Sequence, residues 1–280
     1  MKKIPFNKSF LLFPLLGMAF TACSPKTSIV TAWQNEPLSI SETEAWPAPT
    51  GTDKRSRLNY ALSNDGTNLY ITLQTTDPAT RLRIIRGGME IEIQTPENAK
   101  KPGTIKYPLP EERITLFDGI GQQEGPRERP RQDPTEMFNR VMANQTELDL
   151  SGFLNHRNGR FPLENEGGIN IALDMDSQGV ITYKAIIPLI TFLTEPISEK
   201  SAQANNIITI RINALDMPTG PPGNFTGPGM PGGNRTSPTN PGYRGGASGP
   251  RPGGGYMIGA DLDRLTRSEI IKINLRLSSD

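Results

Sequence analysis

The chain has 280 residues, and three observations on it predict an all-β fold, an antiparallel β-sandwich with a few short helices. Apolar and polar residues alternate over short runs in at least seven places. Each run is bounded by turn residues, chiefly Gly, Pro, Asn and Asp. Helical periodicity is rare and brief, so layers of sheet rather than helix must build the core.

Taken in order, Leu58, Tyr60 and Leu62 share one face of a strand, and Leu69, Ile71 and Leu73 share a face of the next. The turn Asn64-Asp65-Gly66-Thr67-Asn68 between them makes the pair a hairpin. Residues 79–86 read as a short helix closed by Gly87-Gly88. Met89, Ile91 and Ile93 then alternate with Glu90, Glu92 and Gln94, a strand with one wet face. Asp133-Pro134-Thr135-Glu136 resembles a cap with Pro in the first helical position, opening a helix to about Gln145. Ile169, Ile171 and Leu173 precede a turn at residues 175–179, and the strand at 180–187 is stopped by Pro188. Ile208, Ile210, Ile212 and Ala214 form another strand, and Ile271, Ile273, Leu275 and Leu277 the last.

Between those last two strands lies an abnormal stretch. Gly and Pro make up about 19% of the chain, against roughly 12% in ordinary globular sequences. Residues 217–255 alone hold 13 Gly and 9 Pro. Outside them the proportion is ordinary, so the excess marks a flexible, Gly/Pro-rich disordered loop and not a disordered protein. The 30 Lys and Arg are balanced by 29 Asp and Glu, which excludes a generally basic nucleic-acid binder. The composition also excludes a multi-span membrane protein, a collagen and a coiled coil. Arg235, Arg244 and Arg251 lie in the loop with no acid, which suits contact with an anionic envelope polymer.

Lys2, Lys3 and Lys8 precede an apolar run at residues 10–20 that is too short to span a bilayer comfortably. Phe20-Thr21-Ala22-Cys23 follows, ending in the only cysteine. This tetrapeptide resembles the bacterial lipobox, with Phe20 in place of the usual Leu. The resemblance implies a signal peptide at 1–22, cleavage before Cys23 and acylation of its thiol and new amino group. Lipidation also consumes a thiol that would be a liability in an oxidising compartment. No Asp follows Cys23, and no acidic run follows it either, so the resemblance implies an outer-membrane anchor facing the periplasm. The expected organisation is a tether at 23–28 and one sandwich domain at 29–280. That domain carries insertions at about 115–150, part helical, and at 217–255.

Several segments together resemble the carbohydrate-binding module family 9-like sandwich, of the wider DOMON-like type. Leu38-Ser39-Ile40 and Glu44-Ala45-Trp46 resemble its opening strand and turn. Residues 58–71 resemble its hairpin, and Thr76-Asp77-Pro78 the step after it. Residues 88–93, 183–188 and 210–216 resemble its later strands, with Lys184 where the family has an acid. The resemblance implies a non-catalytic binding module, with a pair of tryptophans clamping a sugar in the true family 9 members.

Trp33 and Trp46 are the only tryptophans and the candidate stacking residues, since a sugar's C–H face suits an aromatic plane. Trp46 sits at a strand-exit turn, where core filling is the favoured reading; Trp33 is open between both roles. Asp174-Met175-Asp176-Ser177-Gln178-Gly179 matches half of a calcium loop, but Ala185 stands where the bidentate Glu belongs. A hairpin turn explains those residues. His156 is the only histidine and reads as a solvated loop residue; alone it supports neither a zinc site nor Cys–His catalysis. No metal or cofactor is therefore expected.

Paired carboxylates could serve a glycosidase, but among 29 acids, including Glu111-Glu112, none is singled out by spacing. The expected role is a lipid-anchored binding or scaffold module of the envelope, its partners the membrane and a glycan or envelope protein. The alternatives are a polysaccharide-acting enzyme, and an assembly subunit that contacts partners through the Gly/Pro loop.

Overall fold

The computed structural model describes residues 27–42, 45–110, 134–165, 167–198, 204–215 and 263–279. Cys23 and the Gly/Pro loop at 217–255 lie outside them. Two sheets pack face to face. The larger carries β1 (Thr27–Val30), β13 (Glu269–Arg276), β12 (Asn206–Ile212), β6 (Met89–Gln94), β7 (Gly103–Lys106), β8 (Glu147–Ser151) and β9 (Gly159–Pro162), in that spatial order. The smaller runs β10 (Asn170–Met175), β11 (Ile181–Pro188), β5 (Asn68–Thr75), β4 (Leu58–Asn64) and β2 (Ala32–Trp33). A further short strand, β3 (Gly51–Asp53), also pairs with β4.

The sandwich is as expected, but its sheets are mixed rather than purely antiparallel. β1 runs parallel to β13, and β2 parallel to β4. The reason is one extended N-terminal stretch that crosses from sheet to sheet at Thr31 and lends an edge strand to each. No hairpin joins it to its neighbours, so nothing imposes antiparallel pairing. Thr31 is buried at the crossing, where its hydroxyl donates to Asn64 Oδ1 and its amide bonds the Arg276 carbonyl at 3.0 Å. This stretch pairs from Thr27, two residues inside the segment expected to be tether.

Period-2 alternation puts one row of each strand inside. Ile208, Ile210 and Ile212 are fully buried, each opposite an apolar partner on β6: Ile93, Ile91 and Met89. Leu69, Ile71 and Leu73 face them from β5, with Tyr183 and Ile187 from β11. The hairpin between β4 and β5 is closed by Asp65. Its Oδ1 accepts the Thr67 and Asn68 amides, each at 2.6 Å, and its Oδ2 accepts the Tyr70 hydroxyl at 2.5 Å.

The first helix, α1 (Pro78–Leu82), is capped by Asp77 and continues as one wider π-turn at Arg83–Gly87, which buries Ile84 and Ile85. Gly88 then turns at φ 78°, its α-carbon so near the Pro108 carbonyl that a β-carbon would lie 2.6 Å from it. The second, α2 (Pro134–Met142), ends three residues before the expected Gln145. β8 starts at Glu147, so the last residues assigned to the first insertion belong to the larger sheet.

Asp77 is the node of this end of the sandwich. Its carboxylate accepts the Thr80 amide (2.9 Å) as helix cap, Arg57 from the β3–β4 turn (2.7 Å) and Arg264 from just before β13 (2.8 Å). Burial alone would raise its pKa, but hydrogen bonds from Arg264 and Thr80 outweigh burial and hold it well below the usual carboxylate range. Asp77→Ala should therefore cost roughly 1–3 kcal/mol in urea denaturation, from the lost helix cap and from two ion pairs whose arginines stay in contact with water. The sign with pH follows from the lowered folded value. The stabilisation is complete above the unfolded carboxylate pKa, about 3.9, and is lost as pH falls through the folded one. Asp77→Asn should flatten that acid-side slope; an unchanged slope would show that other groups set it.

Candidate functional site

β9 and β10 are the outermost strands of their sheets, on the side away from the N-terminal crossing. Where they part, the loop joining β8 to β9 and the loop joining β9 to β10 enclose a cleft of about 970 Å³. His156 and Arg157 come from the first loop, Phe161 from β9, and Glu164, Asn165 and Gly167 from the second. Ile40 reaches the cleft from the segment that covers the outer face of the smaller sheet.

His156 is half-buried and fixed on three sides. Its ring meets the Phe161 ring edge-on, with centroids 4.5 Å apart at 75°. Its Nδ1 lies 2.8 Å from the Arg157 carbonyl, and since a carbonyl only accepts, Nδ1 carries the proton. In the neutral ring Nε2 is then an acceptor. The third side is Gly167, where a β-carbon would stand 2.2 Å from Cδ2 and 2.3 Å from Nε2. Only glycine lets the ring lie there. Asn155, just before it, has φ 56°, a left-handed conformation that asparagine tolerates better than most residues.

Asn165 forms the cleft's floor beside this ring. Its Nδ2 donates to the Ile169 carbonyl at 2.6 Å, which fixes the amide's orientation. Its Oδ1 is consequently turned the other way, buried and without a hydrogen-bond partner, 3.1 Å from the same point above Gly167. The cleft thus combines C–H surface on Phe161 and Pro162, acceptors on His156 and Glu164, and a donor on Arg157. That mixture suits a polyhydroxylated ligand with one apolar face. Glu164 is the one carboxylate among the described lining residues.

The sequence-predicted residues lie elsewhere. Trp46 is 8% exposed and fills a small second core with Leu38, Tyr70 and Ile186 on the outer face of the smaller sheet. Its Nε1 donates to the Ser39 carbonyl at 2.8 Å, and its ring stands at 88° to Tyr70 with centroids 5.9 Å apart. Lys184, almost fully buried, places its ammonium 5.7 Å from the Trp46 ring centre, a cation–π contact at the position where the family resemblance expects an acid. Burial and the hydrogen bond to Asp65 push the Tyr70 hydroxyl up to about 12. Trp33 is half-buried at the far edge, on β2. Cys23 lies outside the described residues.

Asp176 behaves as a turn residue, accepting the Gln178 and Val180 amides at 2.9 and 2.8 Å. Among the described residues no group of three His, Cys, Asp or Glu converges as a metal site. His156 needs correction: it is not a solvated loop residue but the half-buried wall of the cleft. Its partners Phe161 and Gly167 follow at no recognisable motif spacing, which is why the sequence alone set it aside.

No protein-family model matches the chain, and no curated protein is significantly similar to it. Two solved structures are similar, both of a carbohydrate binding module family 9 from Caldicellulosiruptor kristjanssonii. The complex with glucose is 8% identical with a TM-score of 0.36, over 91% of this chain and 98% of that one. The complex with cellotriose is 7% identical with a TM-score of 0.33, over 91% and 96%. At these values the likeness carries no argument about this chain. The strand pairing itself defines the class, a two-sheet β-sandwich with a cleft along one lateral seam.

The Gly167 contact is testable directly. Gly167→Ala should displace the His156 ring, read as a shift of its imidazole resonances by NMR, for about 1 kcal/mol of stability, since the clashing atoms end a movable side chain. Unmoved resonances would show that the ring does not rest on Gly167.

Proposed function

We propose that this chain is a non-catalytic, lipid-anchored module of the bacterial envelope that binds glycans in the His156–Phe161 cleft. The observation that carries the reading is the cleft's lining, in which the Phe161 ring, the held His156 imidazole, the Glu164 carboxylate and an exposed guanidinium converge at a seam between the two sheets. A sugar's hydroxyls would donate to His156 Nε2 and Glu164 and accept from Arg157, while its C–H face packs on Phe161 and Pro162. A glycosidase would need two acids facing each other across the substrate, and the described lining has one. The lipobox-like residues ending at Cys23 supply the anchor, and the residues after Cys23 favour the periplasmic face of the outer membrane. Trp33, on the opposite edge, is the second stacking candidate.

Calorimetry with a panel of envelope and plant-type oligosaccharides, on protein made unlipidated by Cys23→Ser, tests the reading. Saturable binding weakened at least tenfold by Phe161→Ala, and unchanged by Trp33→Ala, is the expected result. The reverse pattern would move the site to Trp33. Turnover of any oligosaccharide would make the protein an enzyme. Failure to bind any sugar would favour the assembly role, with the Gly/Pro loop as the contact.

A further inference from the structure

We propose that the α1 end of the sandwich rests on the phosphate-bearing headgroups of the anchoring membrane, with the His156 cleft turned away from the bilayer. This rests on the lipid anchor at Cys23 proposed above. What the structure adds is direction. β1 pairs Thr27 with Ile273 and Val30 with Arg276, so it runs parallel to β13. β13 starts at the α1 end, where Glu269 lies 3.4 Å from Arg83, and finishes at the opposite end, where the Ser278 amide bonds Asn64 at 2.9 Å. The chain therefore enters β1 from the α1 side.

Length fixes the height. Three residues separate Cys23 from Thr27, so an extended chain carries the Cys23 α-carbon no more than about 14 Å from that of Thr27. From the level of Thr27 to the start of β13 is four strand residues, about 13 Å. The tether reaches that end of the sandwich and little further, which holds the end against the lipid surface.

The surface there has the matching charge. Lys54, Arg55 and Arg57 project from the β3–β4 turn, and Arg264 and Arg267 lie just before β13. Arg57 and Arg267 keep 63% and 66% of their side-chain surface exposed while pairing with Asp77 and Asp263. These five cations outnumber Asp53, Asp77, Asp263 and the buried Glu269 beside them, as contact with anionic headgroups requires, and the exposed Asp174 and Asp176 lie on the β10–β11 side of the same end. The cleft lies on the far lateral seam, and its β8–β9 loop is at the opposite end, so a glycan could enter it without meeting the bilayer.

The test uses full-length lipidated protein in phosphatidylethanolamine vesicles containing phosphatidylglycerol. With Cys23 acylated, an introduced cysteine is the only thiol to label. Fluorophores at Lys54→Cys and Thr266→Cys should be quenched by a headgroup-borne nitroxide several-fold more than at Lys100→Cys and Glu195→Cys on the opposite end. Equal or reversed quenching would overturn the orientation. The double variant Lys54→Glu/Arg55→Glu should at least halve quenching at Thr266→Cys, and no change would overturn the headgroup contact. Intact mass separates the two readings. Protein lacking the acyl-glyceryl mass removes the anchor and this proposal with it, whereas lipidated protein with the wrong quenching pattern refutes the orientation alone.

Discussion

One buried carboxylate organises a whole end of this molecule. Asp77 receives the first turn of α1, the arginine that ends the β3–β4 turn and the arginine that precedes β13. The third contact matters most for the fold, because β13 lies between β1 and β12 and returns only after the Gly/Pro excursion. The stem of that excursion is closed by the Leu215 amide bonding the Leu265 carbonyl at 2.8 Å, over a small cluster with Ala79. Loop closure costs free energy only logarithmically with length, so a rigid stem lets so long a segment sit between two neighbouring strands.

Much of the fold was legible because its inner strands obey a period of two without interruption. Ile208, Ile210 and Ile212 could face only one way, and the Asn64–Asn68 turn could join only two antiparallel strands. The parts that were not legible share a cause. β7, β8 and β9 are short and lie towards a sheet edge, with few inward positions each, so their alternation is too brief to register. The parallel pairing of β1 and β2 depends on which partner the N-terminal stretch finds, and local pattern carries no such information.

The candidate site was the least legible part. An aromatic residue is the obvious place to look for a sugar platform, and the tryptophans drew attention for that reason. Trp46 instead covers Tyr70, with its indole N–H satisfied by Ser39, as expected of core filling. The cleft is assembled from residues that mean little singly: a lone histidine, a phenylalanine on a short edge strand and a glycine whose value is the space it leaves. Their meaning is a matter of contact. The buried, unpartnered Asn165 Oδ1 is likewise invisible to sequence, since it follows from where the amide's nitrogen is held.

The parallel pairing of β1 with β13 has a mechanical consequence. If the molecule is held at its amino end and pulled elsewhere, the load enters through Thr27 and runs along the strand axis. All hydrogen bonds of the pair are then strained together, as in a lap joint, instead of parting one after another from the end. The strands of that joint belong to the sheet that carries more of the buried isoleucines than the other sheet does. A pull on the amino terminus is thereby passed to the larger sheet before it reaches the loops around the cleft.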